Sequence, residues 1–92
     1  MRDDRFEWDD RKAKSNLRKH DVAFEHVREA FDDPRPVLRI DDDETDEERW
    51  LLTGMGRHRL VTVCYIERGK RVRIISAWKA TNPEADGYNH AT

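Results

Sequence analysis

Leu60-Val61-Thr62-Val63-Cys64-Tyr65-Ile66, then Glu67-Arg68-Gly69-Lys70, then Arg71-Val72-Arg73-Ile74-Ile75-Ser76-Ala77-Trp78-Lys79, is the stretch whose reading decides the fold. Both apolar runs are rich in β-branched and aromatic residues, which suit a pleated, half-buried surface. The short connection with Gly69 between them reads as a hairpin turn. Gly56-Arg57-His58-Arg59 is a second connection of that kind, so Arg49 to Met55, Leu60 to Ile66 and Arg71 to Lys79 should follow one another as an antiparallel meander. Val37 to Ile40 adds a short strand ahead of them. Alternation places Arg71, Arg73 and Lys79 on one face of the last strand and Val72, Ile74 and Trp78 on the other, unless a bulge resets the face.

Outside this meander the apolar period changes from 2 to 3.6. Phe6-Glu7-Trp8 is a short extended piece, and Asp9 or Asp10 can cap a helix over about residues 11–19. Ala13 and Leu17 give that helix a narrow apolar stripe beside Lys12, Asn16, Lys19 and His20. Phe24, Val27, Ala30 and Phe31 mark a second helix, which should stop before Asp33-Pro34 because proline disfavours helix in the residue ahead of it. Thr81-Asn82-Pro83-Glu84 has capping-box spacing and starts a brief last helix that Gly87 should end. The expectation is one α+β domain over residues 1–92: a short N-terminal strand and two helices, a four-stranded mainly antiparallel sheet, and a short C-terminal helix.

With 92 residues the chain has room for one small domain with a thin core. Leu, Ile, Val and Phe total 18, but the net charge of −2 and the periodic apolar positions favour a folded chain over a disordered one. Cys64 is the single cysteine, so neither a disulfide framework nor a cysteine zinc site is expected, and a reducing compartment is the natural reading. Without a long apolar window or a signal-peptide core, a cytoplasmic chain with no membrane contact is expected.

The small net charge hides strong segregation. Residues 32–48 hold nine acids against Arg35 and Arg39, a balance of −7. Residues 49–79 hold eight cations, Arg49, Arg57, Arg59, Arg68, Lys70, Arg71, Arg73 and Lys79, against Glu67 alone, a balance of +7. Local potential steers charged ligands, so a polyanion could bind the second half. The acidic run Asp41 to Glu48 has carboxylates of the kind that suit magnesium or calcium, but it lacks a glycine-centred ligand loop. It reads as a solvated loop that screens the basic half or docks a basic partner, with no metal and no cofactor expected.

Phe6-Glu7-Trp8-Asp9, Asn16-Leu17-Arg18-Lys19-His20, Phe24, Phe31-Asp32-Asp33-Pro34, Glu47-Glu48-Arg49, Tyr65-Ile66-Glu67-Arg68-Gly69 and Arg71-Val72-Arg73-Ile74-Ile75-Ser76-Ala77 closely resemble the BrnT toxins of bacterial type II toxin-antitoxin systems. The resemblance spans nearly the whole chain in order and spacing. It implies a RelE-like fold, endoribonuclease activity that is either ribosome-independent or ribosome-linked, and a BrnA-like antitoxin of ribbon-helix-helix type. Operator DNA would then be contacted indirectly, through the toxin-antitoxin complex.

Metal-independent RNA cleavage needs a deprotonated ribose 2′-hydroxyl, in-line geometry and cations for the charge growing on the phosphate. Arg73 is the first choice for a phosphate clamp, because guanidinium binds phosphate bidentately and a strand gives it a rigid base. Lys79 and Arg49, the latter at the resemblance's Glu-Glu-Arg motif, are further catalytic candidates. His20 is the leading proton-transfer candidate, with Glu7 as another possible base or a structural ion-pair partner. Arg71, Trp78 and Tyr88 are candidate substrate contacts, and His58 and His90 read as surface residues. Relatives often carry a cation where this chain has Trp78, and are often basic after Thr81, where this chain is not. The alternative function is a non-catalytic module that binds the antitoxin or nucleic acid within a repressor complex.

Overall fold

The computed structural model describes residues 1–41 and 48–91. Most of the acidic run, residues 42–47, lies outside them. The chain forms β1 (Phe6–Glu7), α1 (Asp10–His20), α2 (Phe24–Val27), a 3-10 segment (Arg28–Asp32), β2 (Val37–Asp41), β3 (Arg49–Met55), β4 (Leu60–Arg68), β5 (Arg71–Lys79) and α3 (Asn82–His90).

The sheet has five strands in the order β1-β5-β4-β3-β2. The last four are antiparallel, as alternation and turns predict, but β1 joins β5 in parallel through Phe6↔Val72 and Glu7↔Arg73. The sheet is therefore mixed and five-stranded rather than four-stranded. Burial explains the addition. Phe6 and Trp8 are both almost fully buried, and anchoring them draws Glu7 alongside the edge of β5.

One face of the sheet packs on α1, α2 and the 3-10 segment. Leu52, Val61, Val63, Tyr65, Ile74 and Ala77 meet Phe6, Trp8, Val22, Phe24, Val27 and Ala30 there. Edge-to-face pairs Trp8–Phe24 at 5.7 Å and Phe31–Tyr65 at 5.0 Å fix ring orientations within this core.

Three helix expectations are corrected. The second helix becomes α2 plus a 3-10 segment, which tightens the turn while still burying Phe24, Val27 and Ala30. Asn16, not Leu17, is the buried residue of α1: Leu17 is 48% exposed, whereas Asn16 Nδ2 donates to the Val22 carbonyl at 2.9 Å and its Oδ1 accepts from Ala77 N–H at 3.0 Å. Gly87 does not end α3, which runs on to His90. A glycine stops a helix by taking left-handed backbone, and Gly69 is the one glycine with positive φ among the described residues.

The largest correction concerns β5. Tyr65 pairs with Ile74 and Cys64 with Ser76, so Ile75 is an extra residue without a partner on β4. That bulge resets the parity. Val72, Ile74, Ala77 and Lys79 face the helical side, and Arg73, Ser76 and Trp78 face away from it. Lys79 therefore does not share a face with Arg73, and Trp78 does.

Removing the Asn16 amide would orphan both a carbonyl and a strand N–H in the interior. Asn16→Ala should lower unfolding free energy by roughly 2–4 kcal/mol, whereas Leu17→Ala should change it by less than about 0.5 kcal/mol. Urea denaturation of the two variants checks the contrast.

Candidate active site

Residues opposite one another in an antiparallel pair share a face, so the sheet register maps the surface turned away from α1 and α2. Three rows cross it. Val37, Thr53, Thr62 and Trp78 form one row, and Arg39, Leu51, Cys64 and Ser76 a second. The third holds Asp41 beside Arg49 and Ile66 beside Arg73 beside Glu7. Trp50 pairs with Tyr65, so Arg49 stands one position beyond that register, level with Ile66. Arg49 and Arg73 thus flank the apolar Ile66 two strands apart, about 9–10 Å between backbones.

Arg73 Nη1 donates to Glu7 Oε2 at 2.8 Å, and both side chains are partly buried. The Arg73 hydrogen bond is the main reason that the Glu7 carboxyl sits below the ordinary range; partial desolvation opposes it, and the charges of Arg73, Arg2 and Arg68 add to it. Glu7 is therefore ionised at neutral pH and fixes the guanidinium from one side. A guanidinium carries five N–H donors, so the remaining ones can engage an anion.

A second centre lies where α3 crosses this face. Glu84 is the N3 residue of the Thr81 capping box, and its Oε1 accepts from Thr81 N–H at 2.9 Å and from Trp78 Nε1 at 3.1 Å. Arg39 donates to its other oxygen. The Thr53 and Thr62 hydroxyls are 2.7 Å apart, and Thr62 also bonds Glu84. Burial pushes the Glu84 carboxyl up, but the hydrogen bonds from Thr81, Trp78 and Thr62 outweigh it and hold the group below its usual range. Tyr88 Oη donates to Asp33 Oδ2 at 2.6 Å and pins the end of α3 to the segment ahead of β2. That bond raises the Tyr88 pKa.

The model of a family described as BrnT, the ribonuclease toxin of type II toxin-antitoxin systems, matches residues 8–84. The chain belongs to this family. No curated protein matches it. Membership makes RNA the substrate class and an antitoxin the partner class of the BrnT domain. Among the described residues no helix is long and apolar enough to cross a membrane, and no group of three or more His, Cys, Asp or Glu is arranged to hold a metal ion.

Within this BrnT fold the sequence-predicted residues separate into two groups. Arg73 and Arg49 share the third row. Lys79 is exposed on the other face, six residues along β5 from Arg73, roughly 18 Å. His20, at the end of α1, has its ring 6.4 Å from that of Trp78, so it belongs to the Lys79 end of the strand. Arg71 Nε donates to the Asp3 carbonyl at 2.7 Å and braces the N-terminal segment. Tyr88 stands at Asp33, away from Arg73. His90 is tied within its own helix to the Asp86 carbonyl.

The sequence reading missed Arg39 and the buried role of Glu84. The capping box was a real signal for Glu84, but its bonds to β2 and β5 depend on strand pairing that local spacing does not encode. A carboxyl depressed by folding contributes stability that is present above its unfolded pKa and is lost as pH falls through that value toward the folded one. The wild-type chain should therefore lose more stability between about pH 6 and pH 3 than Glu84→Gln does, measured as the shift in denaturant midpoint at each pH.

Proposed function

We propose that the chain is a metal-independent endoribonuclease toxin with a RelE-like architecture, whose RNA phosphate is clamped by Arg73 with Arg49 on the sheet face away from α1 and α2. The reading rests on the Glu7–Arg73 pair, which presents an oriented guanidinium beside a carboxylate within a ribonuclease family. Attack of the ribose 2′-oxygen on phosphorus would expel the 5′-oxygen of the next nucleotide, which leaves as a hydroxyl after taking a proton from solvent, and would leave a 2′,3′-cyclic phosphate. Arg73 and Arg49 stabilise the charge that develops on the non-bridging oxygens. Glu7 is the group best placed to take the 2′-hydroxyl proton, because His20 lies too far along β5 to serve the same phosphate. Its depressed pKa makes it a weak base, so positioning and charge stabilisation carry most of the rate. A BrnA-like ribbon-helix-helix antitoxin neutralises the enzyme and brings the pair to operator DNA.

A second reading has one observation in its favour: Arg73 is already committed to Glu7, and Lys79 and His20 lie elsewhere. On that reading the cations bind antitoxin or nucleic acid without catalysis. The two separate in one assay. Purified wild-type chain should cleave RNA in excess chelator, and Arg73→Ala should cut at least about 100-fold more slowly with its fold intact. Arg73→Lys should recover only part of the loss, since the fork geometry is gone. Absence of cleavage by the wild type, with antitoxin still bound, would support the binding module instead.

A further inference from the structure

The turn between β3 and β4 folds back onto α2 and brings together two histidines and two arginines that neither the Arg73 row nor the Glu84 centre uses. The His26 and His58 rings meet edge to face, with centroids 5.0 Å apart at 86°. Arg57, Arg59, Val22, Ala23 and Val61 complete the lining of a small cleft around them. Backbone bonds build this arrangement: Arg57 N–H donates to the His26 carbonyl at 3.1 Å, and Gly56 N–H to the Arg59 carbonyl at 2.9 Å. A Cβ at Gly56 would stand 3.2 Å from the His26 carbonyl oxygen and 3.3 Å from that of Arg59, so glycine lets the turn close on the helix.

The charges favour an anion. Arg57 Nε reaches Glu29 at 3.2 Å, and Arg59 meets the Asp21 carbonyl and, at 3.7 Å, its carboxylate. Two guanidiniums and two carboxylates cancel, but the Asp21 side chain is 92% exposed and its contact is loose. Among the described residues neither imidazole makes a side-chain hydrogen bond, which leaves their ring nitrogens available. Lys79 pairs with Val61, which lines the cleft, so the cation that the bulge turned away from Arg73 stands beside this cluster.

We propose that His26, His58, Arg57 and Arg59, flanked by Lys79, form a phosphodiester-binding subsite for the RNA at the opposite end of the sheet from Arg73. The inference rests on the ribonuclease reading and adds a second contact along the same substrate. The two sites lie at opposite ends and on opposite faces of the sheet, so the roughly 20 Å along β4 is a minimum span, at least about six nucleotides at about 3.4 Å per stacked nucleotide. Imidazole N–H groups would donate to the phosphate here, with the guanidiniums supplying charge and orientation.

Fluorescence anisotropy with a labelled 2′-O-methylated RNA 12-mer separates this subsite from the cleavage chemistry, because the probe lacks the attacking hydroxyl. The His26→Gln/His58→Gln variant should bind about 10-fold more weakly than wild type. The slope of log affinity against log salt should fall in magnitude by up to about 0.7, the value for one lost phosphate contact on a single strand. Cleavage loss in Arg73→Ala is scored separately, so either reading can fail alone. Wild-type affinity and slope in the double variant, or no salt-dependent binding by the wild type, overturns the subsite. NMR of the wild-type chain guards against a variant that misfolds. Inorganic phosphate should shift the His26 and His58 ring signals and leave that of His90 in place; no shift, or an equal shift of all three, also overturns it.

Discussion

Asn16 joins three parts of the chain that apolar contacts alone would leave free to slide. β1 is only two residues long, so among the described residues the outer edge of β5 has no strand partner beyond Arg73. The Asn16 carboxamide accepts the Ala77 N–H on that edge and donates to the Val22 carbonyl just after α1. A strand edge left open is a hazard for aggregation, and an unpaired buried N–H is costly. One amide meets both demands and fixes how α1 lies on the sheet, and with it the positions of His20 and of the turn into α2.

Just upstream of Ala77, the bulge at Ile75 divides the function. It leaves Arg73 facing the Glu7 carboxylate and turns Lys79 toward the side where His58 of the β3–β4 turn meets His26 of α2. The basic half of the chain thus presents cations on two surfaces rather than one. Between them α3 closes over the sheet through Glu84, a mostly buried carboxylate held ionised by donors from Thr81, Trp78, Thr62 and Arg39. Trp78 becomes a donor to that carboxylate.

Strand positions, meander order, helix N-caps and the β4–β5 turn were legible in the sequence because they depend on local spacing: Asp9 caps α1, Thr81 and Glu84 form a capping box, and Gly69 takes positive φ. Leu17 and Asn16 show where such reading fails. Both lie at helical spacing, and hydropathy favours the leucine, yet an amide with two partners is buried instead. His26 gave no signal either, because its neighbour His58 comes from a turn 32 residues away.

The sequence by itself determined the α+β class, the antiparallel meander, the segregation of charge and membership in a ribonuclease toxin family, since each follows from residue type and order. Tertiary structure alone decided which cations share a surface. A one-residue bulge inverts every side chain after it without altering composition or period enough to be noticed. Long-range pairing, Glu7 with Arg73 and His26 with His58, arises only when distant segments are brought together by the core they jointly bury.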